Sequence, residues 1–342
     1  MGLRPSRSSR KAGAEEIRWS LAALDPHKRT RIGSFEASDG EQVPYRLWRA
    51  RRPRALILLL HGAFDYSGAF DEIGPKLARY GFTALAFDQR GFGSTNSRGR
   101  WSGEARMVDD VIEAAHFLRT RDDATLPLFV MGESMGGAMA VHAAAKDPAL
   151  NAAGLVLVAP GALASLWLRF FYGWLGRFLY FIGGRSELVF ERVSGWELSP
   201  GAAIRLLGDP LVMRRVRSEI LLGMVDVAYA AIPAARHVSI PVMTMAGAKD
   251  DLLRKECIHA LHNNLAGEKL WREVQNGPHL LLHWQSGGRV LHEAVGWMAK
   301  HIARQSLEET SLEKLAPLSQ IASPPAPTPP STSELHAAIA AS

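Results

Sequence analysis

Leu128-Phe129-Val130-Met131-Gly132-Glu133-Ser134-Met135-Gly136-Gly137 is the stretch on which the reading of this chain turns. Its first four residues are apolar without alternation, as in a strand buried on both faces. They run directly into Gly-x-Ser-x-Gly, and the small-residue stretch 135–145 that follows reads as a helix. Gly132 and Gly136 let the backbone make a tight strand-to-helix turn that holds a serine hydroxyl exposed and strained. The new helix starts beside Ser134, so its positive end favours an anion developing there. Alone, the five-residue pattern arises often by chance; between a buried strand and a helix it is specific.

The surroundings repeat the pattern. Residues 55–60 (ALILLL), 84–87, 155–158 and 242–246 are further continuous apolar runs, and 70–80 and 103–120 are amphipathic. Strand and helix in alternation imply right-handed crossovers and a mainly parallel sheet covered on both faces, an α/β architecture. Residues 32–37 and 42–48 flank the turn signal Ser38-Asp39-Gly40 and are expected as an antiparallel hairpin at the sheet edge. The alternation breaks between 161 and 240, too long a gap for a plain crossover, so an inserted helical cap is expected there. The expected organisation is a basic, disordered 1–25, a core in two parts at 26–160 and 241–305, the cap at 161–240, and a disordered Pro-rich tail at 306–342.

Composition narrows the class. The 342 residues are 47% apolar and 22% charged, ordinary for a globular protein with a sizeable core. Cys257 is the single cysteine, which excludes an intrachain disulfide and suits a reducing compartment. No activating motif surrounds Cys257, so it reads as a small buried residue. The net charge of +6 owes much to Arg4, Arg7, Arg10 and Lys11. No apolar segment of export-signal type follows them, and a cytoplasmic location is expected. That basic start is too little to argue for a nucleic-acid partner.

Besides the Ser134 turn, the chain carries His61-Gly62-Ala63 after a strand and Asp88-Gln89-Arg90-Gly91-Phe92-Gly93-Ser94. Together these resemble the α/β-hydrolase family, and more narrowly its monoacylglycerol lipase and lysophospholipase branch. The likeness spans about residues 31–303. It departs at Glu133, where that branch usually has histidine. A serine needs a base within hydrogen-bond reach, and in this fold the partners follow in the order serine, acid, histidine. The resemblance aligns Asp250, in Gly247-Ala248-Lys249-Asp250-Asp251 after a strand, with the acid; Asp251 is the alternative. It aligns His279, in Asn276-Gly277-Pro278-His279, with the base; His283 is the alternative. The N–H groups of Ala63 and Met135 are the expected oxyanion donors. His61 reads as structural, and Asp88 and Arg90 as braces. This chemistry requires neither metal nor organic cofactor.

Residues 163–182 (LASLWLRFFYGWLGRFLYFI) are long enough for a membrane span, but Arg169 and Arg177 with Gly173 and Gly176 argue against one. An acyl-chain lining by Phe64, Trp167, Phe170, Phe171 and Trp174, with peripheral membrane contact, stands against a plain aromatic core. The expected activity is hydrolysis of a carboxylic ester with a hydrophobic acyl chain, such as a monoacylglycerol or lysophospholipid. Acyl transfer, thioester or peptide cleavage by the same triad, and non-catalytic lipid binding on a hydrolase scaffold, are the alternatives. Oligomeric state is not legible.

Overall fold

A computed structural model of the chain describes residues 30–122, 124–147, 150–164, 174, 187–189 and 197–319. The polypeptide divides into two compact units after Ala299. Ten strands are described: β1 (Thr30–Glu36), β2 (Gln42–Trp48), β3 (Ala55–Leu60), β4 (Phe82–Phe87), β5 (Leu128–Glu133), β6 (Ala152–Val158), β7 (Glu187–Val189), β8 (Arg215–Arg217), β9 (Val242–Gly247) and β10 (Lys269–Val274). The α-helices are α1 (Gly74–Arg79), α2 (Glu104–Arg121), α3 (Met135–Lys146), α4 (Pro200–Gly208), α5 (Ser218–Ala234), α6 (Lys255–Asn264) and α7 (Gly287–Ser319).

Eight strands form one sheet in the order β1-β2-β4-β3-β5-β6-β9-β10. The hairpin β1–β2 lies at one edge, paired from Thr30 with Trp48 to Glu36 with Gln42. Strands β2 and β4 are also antiparallel, and every later neighbour is parallel. All residues of β3, β4, β5, β6 and β9 are buried. Continuous apolar runs demand such cover on both faces, and each fully buried Leu or Phe contributes about 1.5–3 kcal/mol.

Helix α2 covers the sheet with Met107, Val108, Val111, Ala114, Ala115 and Leu118, a stripe at helical spacing. Helix α3 is buried almost throughout because its sequence, MGGAMAVHAAAK, is made largely of small residues. A Cβ on Gly136 would lie 2.2 Å from the carbonyl oxygen of Leu60, and one on Gly132 would lie 2.2 Å from that of Gly136. Only glycine allows α3 to begin this close to β3 and β5. The C-terminal ends of the parallel strands β3, β5, β9 and β10 share one rim, where this class of sheet places its ligands.

Three elements differ from expectation. Within 70–80 regular helix occupies only Gly74–Arg79, with Pro75 in its first turn, and Ser67–Phe70 forms a tighter 3₁₀ turn instead. The described part of the 161–240 segment is not all helical. It contains the antiparallel pair β7–β8. Its last helix, α5, buries Ile220, Gly223, Val227 and Ala231, spaced by three and four residues. That face joins the main core cluster and packs on α3, where His142 Nε2 donates to the Val227 carbonyl at 3.0 Å. Residues 218–237 are also the one described stretch apolar and long enough to cross a bilayer, and 33% of its apolar window is buried. Finally, α7 begins in the first unit and runs to Ser319, beyond the expected boundary at 305. The expected disorder of 1–25 and 320–342 lies outside the described residues.

Candidate active site

Ser134 follows the last residue of β5 with φ 54° and ψ −120°, a conformation costly for any residue with a Cβ, by about 1–3 kcal/mol. The surrounding backbone holds it there. Its N–H donates to Val158 O at 2.9 Å, and its carbonyl accepts from the N–H groups of Gly137, Ala138 and Gly161 at 2.9, 3.2 and 2.7 Å. The strain therefore aims the hydroxyl toward the rim of the sheet.

Two loops meet it there. The loop after β10 brings His279, whose Nε2 lies 2.9 Å from Ser134 Oγ. The loop after β9 brings Asp250, whose Oδ2 lies 2.8 Å from His279 Nδ1. The His279 and Asp250 side chains are each only 2% exposed. Asp250 is itself held, since its Oδ1 accepts from the N–H groups of Leu252 and Leu253 at 2.9 and 2.8 Å. A carboxylate can only accept, so Nδ1 carries the ring proton and Nε2 is left to accept from the serine hydroxyl. The two loops are also joined directly, Lys249 N–H donating to Gly277 O at 2.9 Å. Asp251 is exposed, and it is the Asp250 carboxylate that meets the imidazole.

The loop after β3 closes the third side. A Cβ on Gly62 would lie 3.4 Å from Ser134 Cβ, so His61-Gly62-Ala63 passes directly beside the serine. His61 Nδ1 donates to Gly62 O at 2.8 Å and its Nε2 accepts from Gln89 N–H at 3.0 Å. Burial pushes its pKa down, which keeps the ring neutral as these bonds require. The next residues are tied to the segment around α4. Phe64, at φ 67°, accepts from Met213 N–H at 2.7 Å. Asp65 is ion-paired with Arg205, and Tyr66 donates its hydroxyl to Asp209 at 2.5 Å. Met135 is the first residue of α3, where N–H groups have no partner within the helix. Ala63 and Met135 thus flank Ser134 from two elements.

Asp88 accepts from Ser67 N–H, Ser94 N–H and Ser94 Oγ at 3.0, 2.8 and 2.9 Å. Arg90 is paired with Asp39, Glu41 and Asp110. Both brace loops. Cys257 is 8% exposed, a small buried residue in the core. Phe64 packs on the core cluster beside the site. Trp174 is 63% exposed, while Trp167, Phe170 and Phe171 lie outside the described residues. His283, the alternative base, pairs instead with Glu133 at 3.1 Å. That contact was not legible in the sequence. Its one signal was a carboxylate where the resembling branch has histidine.

The family model described as serine aminopeptidase, S33 matches residues 51–283. The monoglyceride lipase of Mus musculus is 26% identical over 281 residues, covering 78% of this chain and 89% of that one. The monoacylglycerol lipase of Mycolicibacterium smegmatis is 22% identical over 278 residues, covering 79% and 97%. Among solved structures, a soluble variant of the Saccharomyces cerevisiae monoglyceride lipase, in complex with a substrate analog, superposes with a TM-score of 0.69. It is 18% identical, covering 81% of this chain and 96% of that one, a likeness of fold.

Proposed function

We propose that this chain, which belongs to the serine aminopeptidase S33 family of α/β-fold hydrolases and is an ester hydrolase in broad class, cleaves carboxylic esters of hydrophobic acyl chains through an acyl-enzyme on Ser134. The observation that carries the proposal is the relay of two hydrogen bonds, 2.9 Å from Ser134 Oγ to His279 Nε2 and 2.8 Å from His279 Nδ1 to Asp250.

The proposed steps follow from that relay. His279 Nε2 takes the hydroxyl proton as Ser134 Oγ attacks the ester carbonyl carbon, and Asp250 stabilises the resulting imidazolium. The N–H groups of Ala63 and Met135 receive the oxyanion, each donor typically worth about 3 kcal/mol. The imidazolium returns its proton to the leaving alcohol as the C–O bond breaks. Water then attacks the acyl-enzyme by the same route, releasing the acid and restoring the Ser134 hydroxyl.

Monoacylglycerol or lysophospholipid is the proposed substrate class. The monoglyceride and monoacylglycerol lipases among the relatives support this choice. Peripheral lipid contact belongs to the same proposal: on α4, Ile204 and Leu207 are 73% and 66% exposed, an apolar pair on a helix tied to the site through Arg205 and Asp65. Amide hydrolysis is the competing reading, favoured by the description of the matching family. The test is a panel of monoacylglycerols, lysophospholipids, short esters, thioesters and amino-terminal peptide amides, run with and without an added alcohol acceptor. Long-chain esters turned over fastest and free acid as the product are expected, with all turnover lost in Ser134→Ala. Preferential peptide cleavage, or acyl transfer to the alcohol as the main product, would overturn it.

A further inference from the structure

The pairing of Glu133 with the far side of the His279 loop carries an inference that rests on the proposed triad and goes beyond it. Glu133 ends β5 and directly precedes Ser134. It is 2% exposed, and a carboxylate buried so deeply needs partners for its charge. Both oxygens find them in one loop. Oε1 accepts from the backbone N–H of Leu282 at 3.0 Å, and Oε2 lies 3.1 Å from Nε2 of His283. Leu282 and His283 stand three and four residues after His279. Between them the chain turns tightly, with Leu281 N–H donating to His279 O at 3.0 Å and His283 N–H to Leu280 O at 3.2 Å. The loop is therefore tied internally, and one carboxylate grips it on two atoms.

We infer that Glu133 is a positioning residue for the reaction: it ties the loop carrying His279 to the backbone carrying Ser134, and so sets the distance between base and nucleophile. A carboxylate suits this task because it accepts two hydrogen bonds at once in a forked geometry. The histidine usual at this place in the resembling branch has at most one acceptor nitrogen and could not serve both donors. The opposite side of the loop is anchored elsewhere. His283 O accepts from Ser199 N–H at 2.8 Å, Leu198 bridges to Trp284, and Gln285 N–H donates to Glu197 O at 2.8 Å. With Glu133 removed, the loop keeps its ties to 197–199 and to Lys249 and loses its grip on the residue before the nucleophile.

The test uses the full chain with a soluble short-chain ester, and reads kcat, KM, the rate of fluorophosphonate labelling and thermal unfolding. His279→Ala serves as the reference: if it retains turnover, the triad fails and this inference with it, whatever Glu133 does. With the triad intact, Glu133→Ala is expected to remain folded and lose on the order of 10²-fold in kcat, as for a catalytic group displaced by about 1 Å, with KM changed less than about threefold. Glu133→Gln, which keeps a carbonyl for Leu282 N–H, is expected to lose no more than about tenfold. Glu133→Ala/His283→Ala is expected to lose no more than Glu133→Ala alone, since both act through one clamp. Should Glu133→Ala not fold, a fall in kcat at constant KM in Glu133→Gln and His283→Ala supports the inference. Unchanged kcat in folded Glu133→Ala overturns it, as does a loss confined to KM; where Glu133→Ala does not fold, unchanged kcat in both of the milder variants overturns it.

Discussion

Replacing Gly136 by alanine would put a methyl group 2.2 Å from Leu60 O, 2.6 Å from Leu60 C and 2.7 Å from His61 O. All three are backbone atoms at the end of a buried strand, so no side-chain rotation can relieve the overlap. Non-bonded carbon contacts settle at roughly 3.5 Å, which requires α3 and the end of β3 to part by roughly 1 Å. Ser134 lies on one side of that gap and the His61-Gly62-Ala63 loop on the other. The displacement therefore falls on the distance between the serine and the Ala63 N–H. A misplacement of about 1 Å is expected to lower kcat on the order of 10²-fold. The strain itself is expected to cost about 1–3 kcal/mol, a fall in Tm of about 2–8 °C. Steady-state kinetics on a soluble ester, with thermal unfolding of the same samples, measure both quantities. A folded Gly136→Ala variant with kcat within about twofold of wild type would refute the account of how this turn is held.

The two neighbouring acids give a second contrast. Asp250→Asn, which removes the acceptor at His279 Nδ1, is expected to cost about 10³–10⁴-fold in kcat, and Asp251→Asn, at an exposed side chain, less than about twofold; equal losses would mean the acid is misassigned. A third concerns acid stability. His262 is held down from 6.5 to about 4 by burial, with Lys269 and His259 adding to the effect. Between those values the unfolded chain binds a proton that the folded chain refuses. Stability is thus complete above pH 6.5 and falls as pH falls toward 4. The loss is about 3 kcal/mol at full strength and about 1–2 kcal/mol after solvent screening. Denaturant midpoints across pH 7 to 4 should show this slope in wild type and a shallower one in His262→Gln. Identical slopes in the two proteins would contradict it.

What the sequence disclosed followed physical simplicity. Strands buried on both faces are bare apolar runs, and β3, β5, β6 and β9 could be read directly. Ser134 lies just past such a strand, and Asp250 and His279, which the family resemblance singled out over Asp251 and His283, lie just past β9 and β10 at the same rim. Other features lay beyond reach. Glu133 meets Leu282 across 149 positions, and no local pattern announces a contact made only by the fold. Helix α5 is apolar over much of its surface, so its core-facing stripe at Ile220, Gly223, Val227 and Ala231 does not stand out until α3 is seen against it. Composition groups the run 306–319 with the Pro-rich tail, but Leu307, Glu308, Glu309, Leu312, Glu313, Lys314 and Leu315 are good helix formers, and α7 continues through them.

Covalent labelling tests the centre of the account most directly. A fluorophosphonate probe incubated with the full chain is expected to attach in a one-to-one ratio, with the adduct mapped to Ser134 by peptide mass. His279→Ala is expected to slow the labelling by orders of magnitude, in line with loss of the base. An adduct on any other residue, or equal labelling rates in wild type and His279→Ala, would contradict the claim that this imidazole activates this hydroxyl.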